Sequence, residues 1–280
     1  MDGMDPAVRA SYEACRRMHR RHDPTYYWAT RRLPAPVRPA THALYGYVRT
    51  ADEIVDGPGR APTPAERRRA LDAWESALHM GIAAGRSEHP VVGALVDAAR
   101  RHALPLGELE PYMRSMRVDC GPVRIASWEE LQEYMDGSAG SVGRIMATLL
   151  GVPERQRARF GSLGQAFQLT NFVRDLPEDA ALDRVYLPGA EPALAAPARA
   201  APELRGVVGE HVARARALFA SAEPAIAAAP GSVRSGIRLA CAAYGRILDR
   251  AEAAGFDVLA RSVGLRARDL PATLLGAARR

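Results

Sequence analysis

The 280-residue chain is predicted to fold as one all-α domain, a helical bundle around a central cavity. Hydrophobic residues make up 48% of the chain, and alanine, the strongest helix former, is abundant in long stretches. No segment shows the period-two alternation of apolar and polar residues that is typical of a half-buried strand. This length can supply one large hydrophobic core, so residues 1–280 are predicted to form a single domain.

The predicted helices follow one another along the whole chain. They cover residues 6–22, 37–56, 64–84, 90–103, 107–119, 128–150, 154–179, 202–222, 232–254 and 267–278. A Gly-Pro-Gly sequence at 57–59 ends the second of them. Ser127 and Glu130 have the spacing of a capping box at the start of the central helix. The stretch 189–202, rich in alanine and proline, is predicted to be a loop.

Two pairs of aspartates share one internal spacing, and each pair lies near the end of a predicted helix. The pairs are Asp52 with Asp56 and Asp175 with Asp179. Side chains four residues apart lie on one face of an α-helix, so each pair places two like charges side by side. A single pair would be typical of a solvated helix face, but two copies indicate bound cations. Because carboxylate and phosphate oxygens suit hard divalent ions, Mg²⁺ is predicted, with Mn²⁺ as an alternative.

Basic and amide side chains accompany both pairs. Arg49 lies three residues before the first pair, and Arg174 directly precedes the second. A guanidinium group suits bidentate contact with phosphate oxygens, so both arginines are candidate diphosphate-binding residues. Asn171, four residues before Asp175 on the same helix face, is a candidate ligand of the metal or the diphosphate. Gln168 continues that face and is a candidate substrate contact. The alternative for Asn171 is a polar contact with a neighbouring helix.

The segments around these pairs resemble the squalene/phytoene synthase family, and the pattern is closest to that of bacterial phytoene synthases. The matching segments are 25–34, 42–56, 134–143, 168–188, 244–250 and 255–258. The two aspartate motifs together are highly specific, whereas the glycine-rich segment alone is a weak signal. The resemblance implies the helical bundle of the isoprenoid synthases. It also implies a set of metal ligands: Asp52, Asp56, Asn171, Asp175 and Asp179.

The resemblance implies a two-step reaction that joins two prenyl diphosphates head to head. One substrate ionises and alkylates the second to give a cyclopropylcarbinyl diphosphate, which then ionises and rearranges to a linear polyene. Mg²⁺ on the aspartates would stabilise the leaving diphosphate, and Arg49 would add fixed positive charge in catalysis. Two geranylgeranyl diphosphates give phytoene if the final cation loses a proton. Two farnesyl diphosphates give squalene if NADPH reduces that cation.

An allylic cation needs a dry pocket, and aromatic faces stabilise such a cation by cation–π attraction. Tyr45, four residues before Arg49 on the same side of its helix, is predicted to act in catalysis. The other candidates for the cavity wall or for substrate contact are Tyr26, Tyr27, Tyr134, Phe167, Tyr186 and Tyr244. Ordinary core packing is the alternative for each. Gly137, Gly140 and Gly143 recur every three residues, which allows local distortion beside a ligand or close helix packing. Gly140 is the predicted substrate contact.

Four positions depart from the family pattern. Thr25 replaces the usual serine of the entry segment. Gly137 stands where eukaryotic squalene synthases carry a tyrosine, which favours phytoene formation over squalene formation. Asp136 stands where bacterial phytoene synthases often have a bulky aromatic residue, which leaves cyclisation or a different prenyl acceptor open. Pro177 lies inside the second motif and predicts a kink between Asp175 and Asp179.

Phytoene formation is therefore the predicted function, with three alternatives. Synthesis of squalene or dehydrosqualene from farnesyl diphosphate and diversion to terpene cyclisation are the enzymatic ones. The third, a scaffold protein without catalysis, is disfavoured because both acidic clusters are intact. The chain has no Gly-x-Gly-x-x-Gly element, but family members that use NADPH lack it too. NADPH is therefore not expected but stays open.

Composition limits the partners and the compartment. All 38 basic residues are arginine, and the net charge is +6. No basic patch with interleaved aromatic residues indicates a nucleic-acid partner, whereas the arginine clusters at 16–21 and 67–69 leave peripheral membrane contact open. Three scattered cysteines predict reduced thiols in a cytoplasmic protein. No run approaches the ~20 apolar residues of a membrane span. The sequence does not predict an oligomeric state.

Overall fold

The computed structural model describes residues 4–195 and 197–264, and this part of the chain is almost entirely helical. Its α-helices are α1 (Pro6–His22), α2 (Pro24–Thr30), α3 (Arg38–Asp56), α4 (Pro64–Ala84), α5 (Pro90–His102), α6 (Leu109–Val118), α7 (Trp128–Met135), α8 (Ser141–Leu149), α9 (Arg157–Arg174), α10 (Leu176–Ala181), α11 (Glu191–Ala195), α12 (Pro197–Ala228) and α13 (Gly231–Ala253). The remaining elements are 3-10 turns at Leu106–Glu108 and Glu154–Gln156, a π-helical turn at Asp136–Gly140, and two strands, β1 (Val123–Arg124) and β2 (Arg184–Val185). The all-α prediction is confirmed.

Most predicted helices are present close to their predicted bounds. The short helix α2 was not predicted; it begins at a proline, and Asp23 caps it by accepting a hydrogen bond from the backbone N–H of Tyr26 at 2.8 Å. The predicted loop at 189–202 is wrong, because α11 lies there and α12 begins within it. Alanine favours helix at these positions, and proline is tolerated in a first helical turn. The predicted helix at 267–278 lies outside the described residues.

Two predicted helices are interrupted. The π turn separates α7 from α8 within the predicted helix 128–150. The predicted helix 154–179 opens with a 3-10 turn and breaks at Asp175, because Pro177 cannot donate the backbone hydrogen bond that would continue α9. The kink predicted from this proline is confirmed. The prediction that the second aspartate pair lies on one continuous helix is wrong.

Helix α9 lies at the centre of the bundle, packed against α8, α12 and the π turn. Helices α1, α3 and α5 pack on one another to form one side. Buried hydrophobic residues form three clusters, and half-buried side chains connect them. Val37 and Met146 each pack against both the cluster that contains Tyr47 and the cluster that contains Phe160. Phe219 packs against the Phe160 cluster and against the cluster that contains Phe172, so the core is continuous. None of the helices described is both long and apolar enough to cross a membrane.

The two strands are short, but they position the site. They pair in parallel, with Val123 opposite Arg184 and Arg124 opposite Val185. This pairing holds the segment that follows α6 next to the segment that follows α10. Asp119, at the end of α6, is thereby brought beside Arg184.

Candidate active site

The first aspartate pair lies at the C-terminal end of α3 and contacts the segment that follows the second pair. Arg184 donates to both carboxylate oxygens of Asp56, at 2.8 and 2.6 Å. The same guanidinium donates to the backbone carbonyl of Asp119 at 2.6 Å. Since Asp56 and Arg184 are 128 residues apart in sequence, this ion pair brings the two aspartate motifs together in space.

The carboxylates lie close enough to influence one another's protonation. Burial, followed by the neighbouring carboxylates of Asp175, Asp119 and Asp56, raises the pKa of Asp179 to about 7. Burial likewise raises the pKa of Asp52 to about 7, although a nearby arginine lowers it. A cluster of partly desolvated like charges is stabilised by a bound cation. The site is therefore electrostatically suited to a divalent metal.

A tyrosine from another helix holds Asp52. The Tyr112 hydroxyl, on α6, lies 3.2 Å from Oδ1 of Asp52 and 3.0 Å from the carbonyl oxygen of Val48. Tyr112 is almost completely buried. Its single hydroxyl proton serves both acceptors, which fixes the Asp52 carboxylate relative to its own helix.

Both predicted diphosphate-binding arginines lie beside the site, and each contacts a carboxylate. Arg174 donates from Nε and Nη2 to the two oxygens of Asp175, at 2.6 and 2.5 Å. Arg49 donates from Nε to Glu53 at 3.3 Å. The side chains of Arg49 and Arg174 are 33% and 34% exposed. Each guanidinium is thus held in place while part of it stays open to solvent or to an anion.

Asn171 has a buried oxygen without a partner. Its Oδ1 atom accepts no hydrogen bond among the described residues, and the residue lies on α9 one turn before Asp175. Buried acceptors are almost always satisfied, so this oxygen is a candidate ligand for a bound group. Gln168, one turn earlier on α9, is partly buried.

The residues fit a hard divalent cation by donor type, but they do not form a tight preformed centre. In the part of the chain that the structure describes, no three acidic, histidine or cysteine side chains converge on one point. The carboxylates of Asp52 and Asp179 and the unsatisfied oxygen of Asn171 are the oxygen donors that Mg²⁺ prefers. Asp56 and Asp175 are paired with arginines, so a metal would share or displace those contacts.

Aromatic side chains form a wall beside the first motif. The ring centroids of Tyr26 and Tyr45 are 6.2 Å apart, and those of Phe167 and Tyr244 are 4.3 Å apart. Tyr26 is 37% exposed, so part of its surface is open to solvent or to a ligand. Tyr27, in contrast, is buried in the core.

Two other predicted substrate contacts, Tyr134 and Tyr186, are buried in the core next to the site. The hydroxyls of Tyr134 and Tyr186 donate to the carboxylate of Asp119, at 2.6 and 2.7 Å. All three residues are less than 9% exposed. Burial raises the pKa of Asp119 to about 6 despite these two donors. Tyr134 and Tyr186 therefore belong to a buried network that supports strand β2, which begins at Arg184.

The glycine-rich segment forms the π turn, so the predicted local distortion is confirmed. A Cβ atom on Gly140 would lie 2.7 Å from Oδ1 of Asp136. That carboxylate accepts hydrogen bonds from Arg144 at 2.7 Å and from Gln165 at 3.1 Å. Gly140 thus makes room for a polar cluster, whereas Gly143 lies against the backbone of α9.

Sequence reasoning missed three residues that build the site: Tyr112, Asp119 and Arg184. Arg184 lies within the family-like segment 168–188, so the signal for it was present. Tyr112 and Asp119 are single residues without a spacing pattern. Tyr112 contacts Asp52, 60 positions away, and Asp119 accepts from Tyr186, 67 positions away, and no local pattern reveals such contacts.

The fold and the site together define a class: an isoprenoid-synthase helical bundle in which two aspartate motifs meet beside an aromatic wall. A family model described as squalene/phytoene synthase matches residues 19–269 of the chain. The chain therefore belongs to the squalene/phytoene synthase family, whose members are prenyltransferases.

Several curated relatives are phytoene synthases. The chain is 32% identical over 271 residues to phytoene synthase from Thermus thermophilus, covering 94% of this chain and 91% of that protein. It is 34% identical over 276 residues to phytoene synthase from Arthrospira platensis, covering 90% and 88%. The chain is 33% identical over 272 residues to the chloroplastic phytoene synthase 3 of Zea mays, and the match spans 92% of this chain but 63% of the maize protein.

Solved structures show the same fold. Squalene synthase HpnC from Alicyclobacillus acidocaldarius superposes with a TM-score of 0.82 at 25% identity, covering 91% of this chain and 97% of that one. A dehydrosqualene synthase solved in complex with a ligand superposes with a TM-score of 0.84 at 19% identity, covering 97% and 96%.

Proposed function

We propose that this chain catalyses the Mg²⁺-dependent, head-to-head condensation of two geranylgeranyl diphosphates to phytoene through a cyclopropylcarbinyl diphosphate. The observation that carries the proposal is the meeting of two aspartate motifs from distant parts of the chain. Asp56 is held by Arg184, and Asp179 is close enough to Asp56 for that carboxylate to raise its pKa. Two acidic walls with arginines beside them suit the binding and departure of diphosphate groups.

The choice of phytoene over squalene has two supports. The curated relatives from Thermus thermophilus, Arthrospira platensis and Zea mays are phytoene synthases. Squalene and dehydrosqualene synthases enter as structural neighbours at lower identity. In addition, Gly137 stands where eukaryotic squalene synthases carry a tyrosine. An added Cβ there would lie 2.2 Å from the hydroxyl of Ser115, so this chain has no room for that side chain.

The polar residues bind and orient the diphosphate groups. Asp52, Asp179 and Asn171 would hold Mg²⁺, which when bound supplies Lewis-acid stabilisation of the leaving diphosphate. Arg49 belongs to the first aspartate motif and Arg174 to the second, and both supply fixed guanidinium donors to phosphate oxygens. Because their carboxylate partners already orient them, little conformational entropy is lost when they bind an anion.

The aromatic wall excludes water from the carbon skeleton. Tyr45 lies near Arg49 with Tyr26 beside it, and Tyr244 lies near Arg174. Burial raises the pKa of Tyr45 to about 12 and raises the pKa values of Tyr26 and Tyr244 as well, so these phenols are neutral at physiological pH. Neutral aromatic faces stabilise an allylic cation by cation–π attraction without acting as competing nucleophiles. A dry wall also keeps water from quenching the cation.

Product analysis tests the proposal. The purified protein is incubated with Mg²⁺ and geranylgeranyl or farnesyl diphosphate, each with and without NADPH, and the hydrocarbons are identified by mass spectrometry. We expect a C40 product from geranylgeranyl diphosphate that does not depend on NADPH. A C30 product would identify the enzyme as a dehydrosqualene synthase or, if its formation depends on NADPH, as a squalene synthase. A cyclic C15 or C20 hydrocarbon would contradict head-to-head coupling.

A further inference from the structure

A small polar cavity adjoins the ion pair between Asp56 and Arg184. Its volume is about 120 Å³, several times the ~10–15 Å³ that a single water molecule requires. The cavity is lined by Asp56, Arg60, Arg67, Asp119, Gly121, Pro122, Leu182 and Arg184. Neither aspartate of the second motif contributes to it. The cavity therefore adjoins the candidate active site and shares Asp56, Asp119 and Arg184 with it.

The cavity has more positive charge than its carboxylates offset. Arg184 neutralises Asp56, and the Asp119 carboxylate accepts hydrogen bonds from two tyrosine hydroxyls. Arg60 donates to the backbone carbonyl of Asp56 at 3.2 Å, and Arg67 donates twice to the backbone carbonyl of Cys120, at 3.1 and 2.6 Å. Among the described residues, neither Arg60 nor Arg67 is within ion-pair distance of a carboxylate.

Arg184 lines the cavity from β2, and its side chain is 10% exposed. The cavity is thus lined by three arginines, which come from the α3–α4 connection, from α4 and from β2. Arg68 is also near, with Nη2 3.9 Å from the position of a Cβ on Gly121.

We propose that this cavity is a second anion site, which binds the inorganic diphosphate released at the active site. The inference rests on the proposed function for the source of the diphosphate. Guanidinium groups form paired hydrogen bonds with phosphate oxygens, and a nine-atom anion matches the cavity volume. Its position at Asp56 places it directly beside the carboxylates that hold the leaving group. Released diphosphate would move to Arg60 and Arg67 before it reaches solvent.

Direct binding of inorganic diphosphate tests the site without catalysis. Calorimetric titration in EDTA, with no prenyl substrate, is made on the wild type, on Arg60→Gln and on the double variant Arg60→Gln/Arg67→Gln. We expect the affinity to fall about tenfold for the single variant and further for the double variant, since each charged hydrogen bond is worth ~1.5–3 kcal/mol. Arg69→Gln, an exposed neighbour on α4 outside the cavity, is the matched control and should bind as the wild type does.

Two outcomes would overturn the proposal: no diphosphate binding by the wild type in EDTA, or the same affinity loss in the control as in Arg60→Gln. Arg60 is exposed and contacts only a backbone carbonyl, so its variant folds even if the double variant does not. Titration of the double variant Arg49→Gln/Arg174→Gln separates this site from the active site, because that variant lacks the candidate diphosphate donors of the active site but keeps the cavity. Retained binding there supports the cavity, whatever product the enzyme makes, and lost binding contradicts it. Inorganic phosphate, titrated in parallel, should bind more weakly because it spans fewer guanidiniums.

Discussion

The carboxylates at the candidate site differ in the donors that hold them. Asp52 accepts from a tyrosine, whereas Asp56 and Asp175 accept from arginines in bidentate pairs. Asp179 has none of these donors among the described residues, and burial together with its acidic neighbours raises its pKa to about 7. The site therefore combines fixed carboxylates with one whose charge is offset by no direct partner. A divalent cation would stabilise this arrangement most strongly near Asp179.

Removing one aspartate from either motif should abolish turnover without unfolding the bundle. Asp52→Ala and Asp175→Ala are each expected to lower kcat/KM by at least about 100-fold, since loss of groups that merely orient metal ligands already lowers activity 10–100-fold. Circular dichroism should show an unchanged helical content. Asp249→Ala, which removes an exposed carboxylate paired with Arg216, is the control and should keep full activity. Near wild-type turnover in either motif variant would contradict the metal site.

At the residue scale, local spacing predicts part of the site and tertiary contacts supply the rest. The aspartate pairs and Arg49 stand out because their spacing repeats along a helix. Arg184 and Tyr112 do not, because their roles depend on contacts with Asp56 and Asp52 across the bundle. Tyr134 is predicted as a substrate contact on resemblance; its hydroxyl donates to the buried carboxylate of Asp119, and contact with a substrate stays a prediction. Pattern gives the identity of a polar residue but not the direction of its side chain.

A buried histidine pair lies behind Tyr45. Nδ1 of His19 is 2.9 Å from Nδ1 of His42, and the His19 ring stacks on Tyr45 with centroids 3.9 Å apart. One neutral imidazole must donate the shared hydrogen and the other must accept it. Burial lowers the pKa of His19 to about 3 and that of His42 to about 4. Both rings are therefore neutral at physiological pH.

This pair should make the fold sensitive to acid. The pKa of each histidine is lower in the folded chain than the ordinary value of 6.5, so the unfolded chain binds more protons below that pH. Stability is then fully present above about pH 6.5 and is lost as the pH falls toward 4, by about 2 kcal/mol per histidine at pH 5. The raised pKa values of Asp52, Asp119 and Asp179 change stability in the opposite direction over this range, so the histidine contribution is read as a difference between variants. Between pH 7.5 and pH 5, urea unfolding of His42→Gln should show a change in stability about 2 kcal/mol more favourable than that of the wild type. His79→Gln, at an exposed position, should show the same change as the wild type. Equal acid sensitivity in His42→Gln would contradict this role.

At the element scale, local sequence rules locate the helices but not all of their interruptions. Pro177 predicts the break in the second motif, and the break is there. The π turn was only partly foreseen, because glycines indicate possible distortion without fixing its type. The stretch 189–202 contains α11 and the start of α12 rather than a loop. Pro192 and Pro197 lie in first helical turns, where proline is tolerated, whereas Pro202 lies inside α12.

The contact between α9 and the π turn should tolerate no added methyl group. A Cβ on Gly164 would lie 2.3 Å from the backbone oxygen of Ala139, which cannot move as a flexible side chain can. Gly164→Ala is therefore expected to destabilise the protein by ~1–3 kcal/mol, measured as the midpoint of thermal unfolding. Gly206→Ala on α12 is the matched control, since nothing lies within 4 Å of its added Cβ. It should be neutral or stabilising by up to ~1 kcal/mol. Similar midpoints for both variants would show that α9 can shift.

At the scale of the whole molecule, the bundle brings together segments that are far apart in the chain. The all-α class follows from composition and from the absence of strand periodicity, and both are averages over many residues. The placement of α3 against the segment after α10 does not follow from them. It depends on α9 packing at the centre and on the β1–β2 pairing, which are long-range contacts. Composition and hydrophobic periodicity do not predict that the two aspartate motifs face one cavity. The resemblance to the squalene/phytoene synthase family does.

Because the site is assembled from distant segments, a ligand that bridges them should stabilise the whole fold. Mg²⁺ together with a non-hydrolysable diphosphate analogue is expected to raise the unfolding midpoint by about 5 °C, since a ligand at 100 times its Kd contributes ~2.7 kcal/mol and each kcal/mol shifts a domain of this size by ~2–4 °C. Mg²⁺ alone should shift it less, because the described carboxylates form no preformed metal centre. Asp175→Ala should lose the combined shift. A wild-type midpoint unchanged by the combination would mean that the two motifs bind no shared ligand, and would favour a scaffold protein over an enzyme.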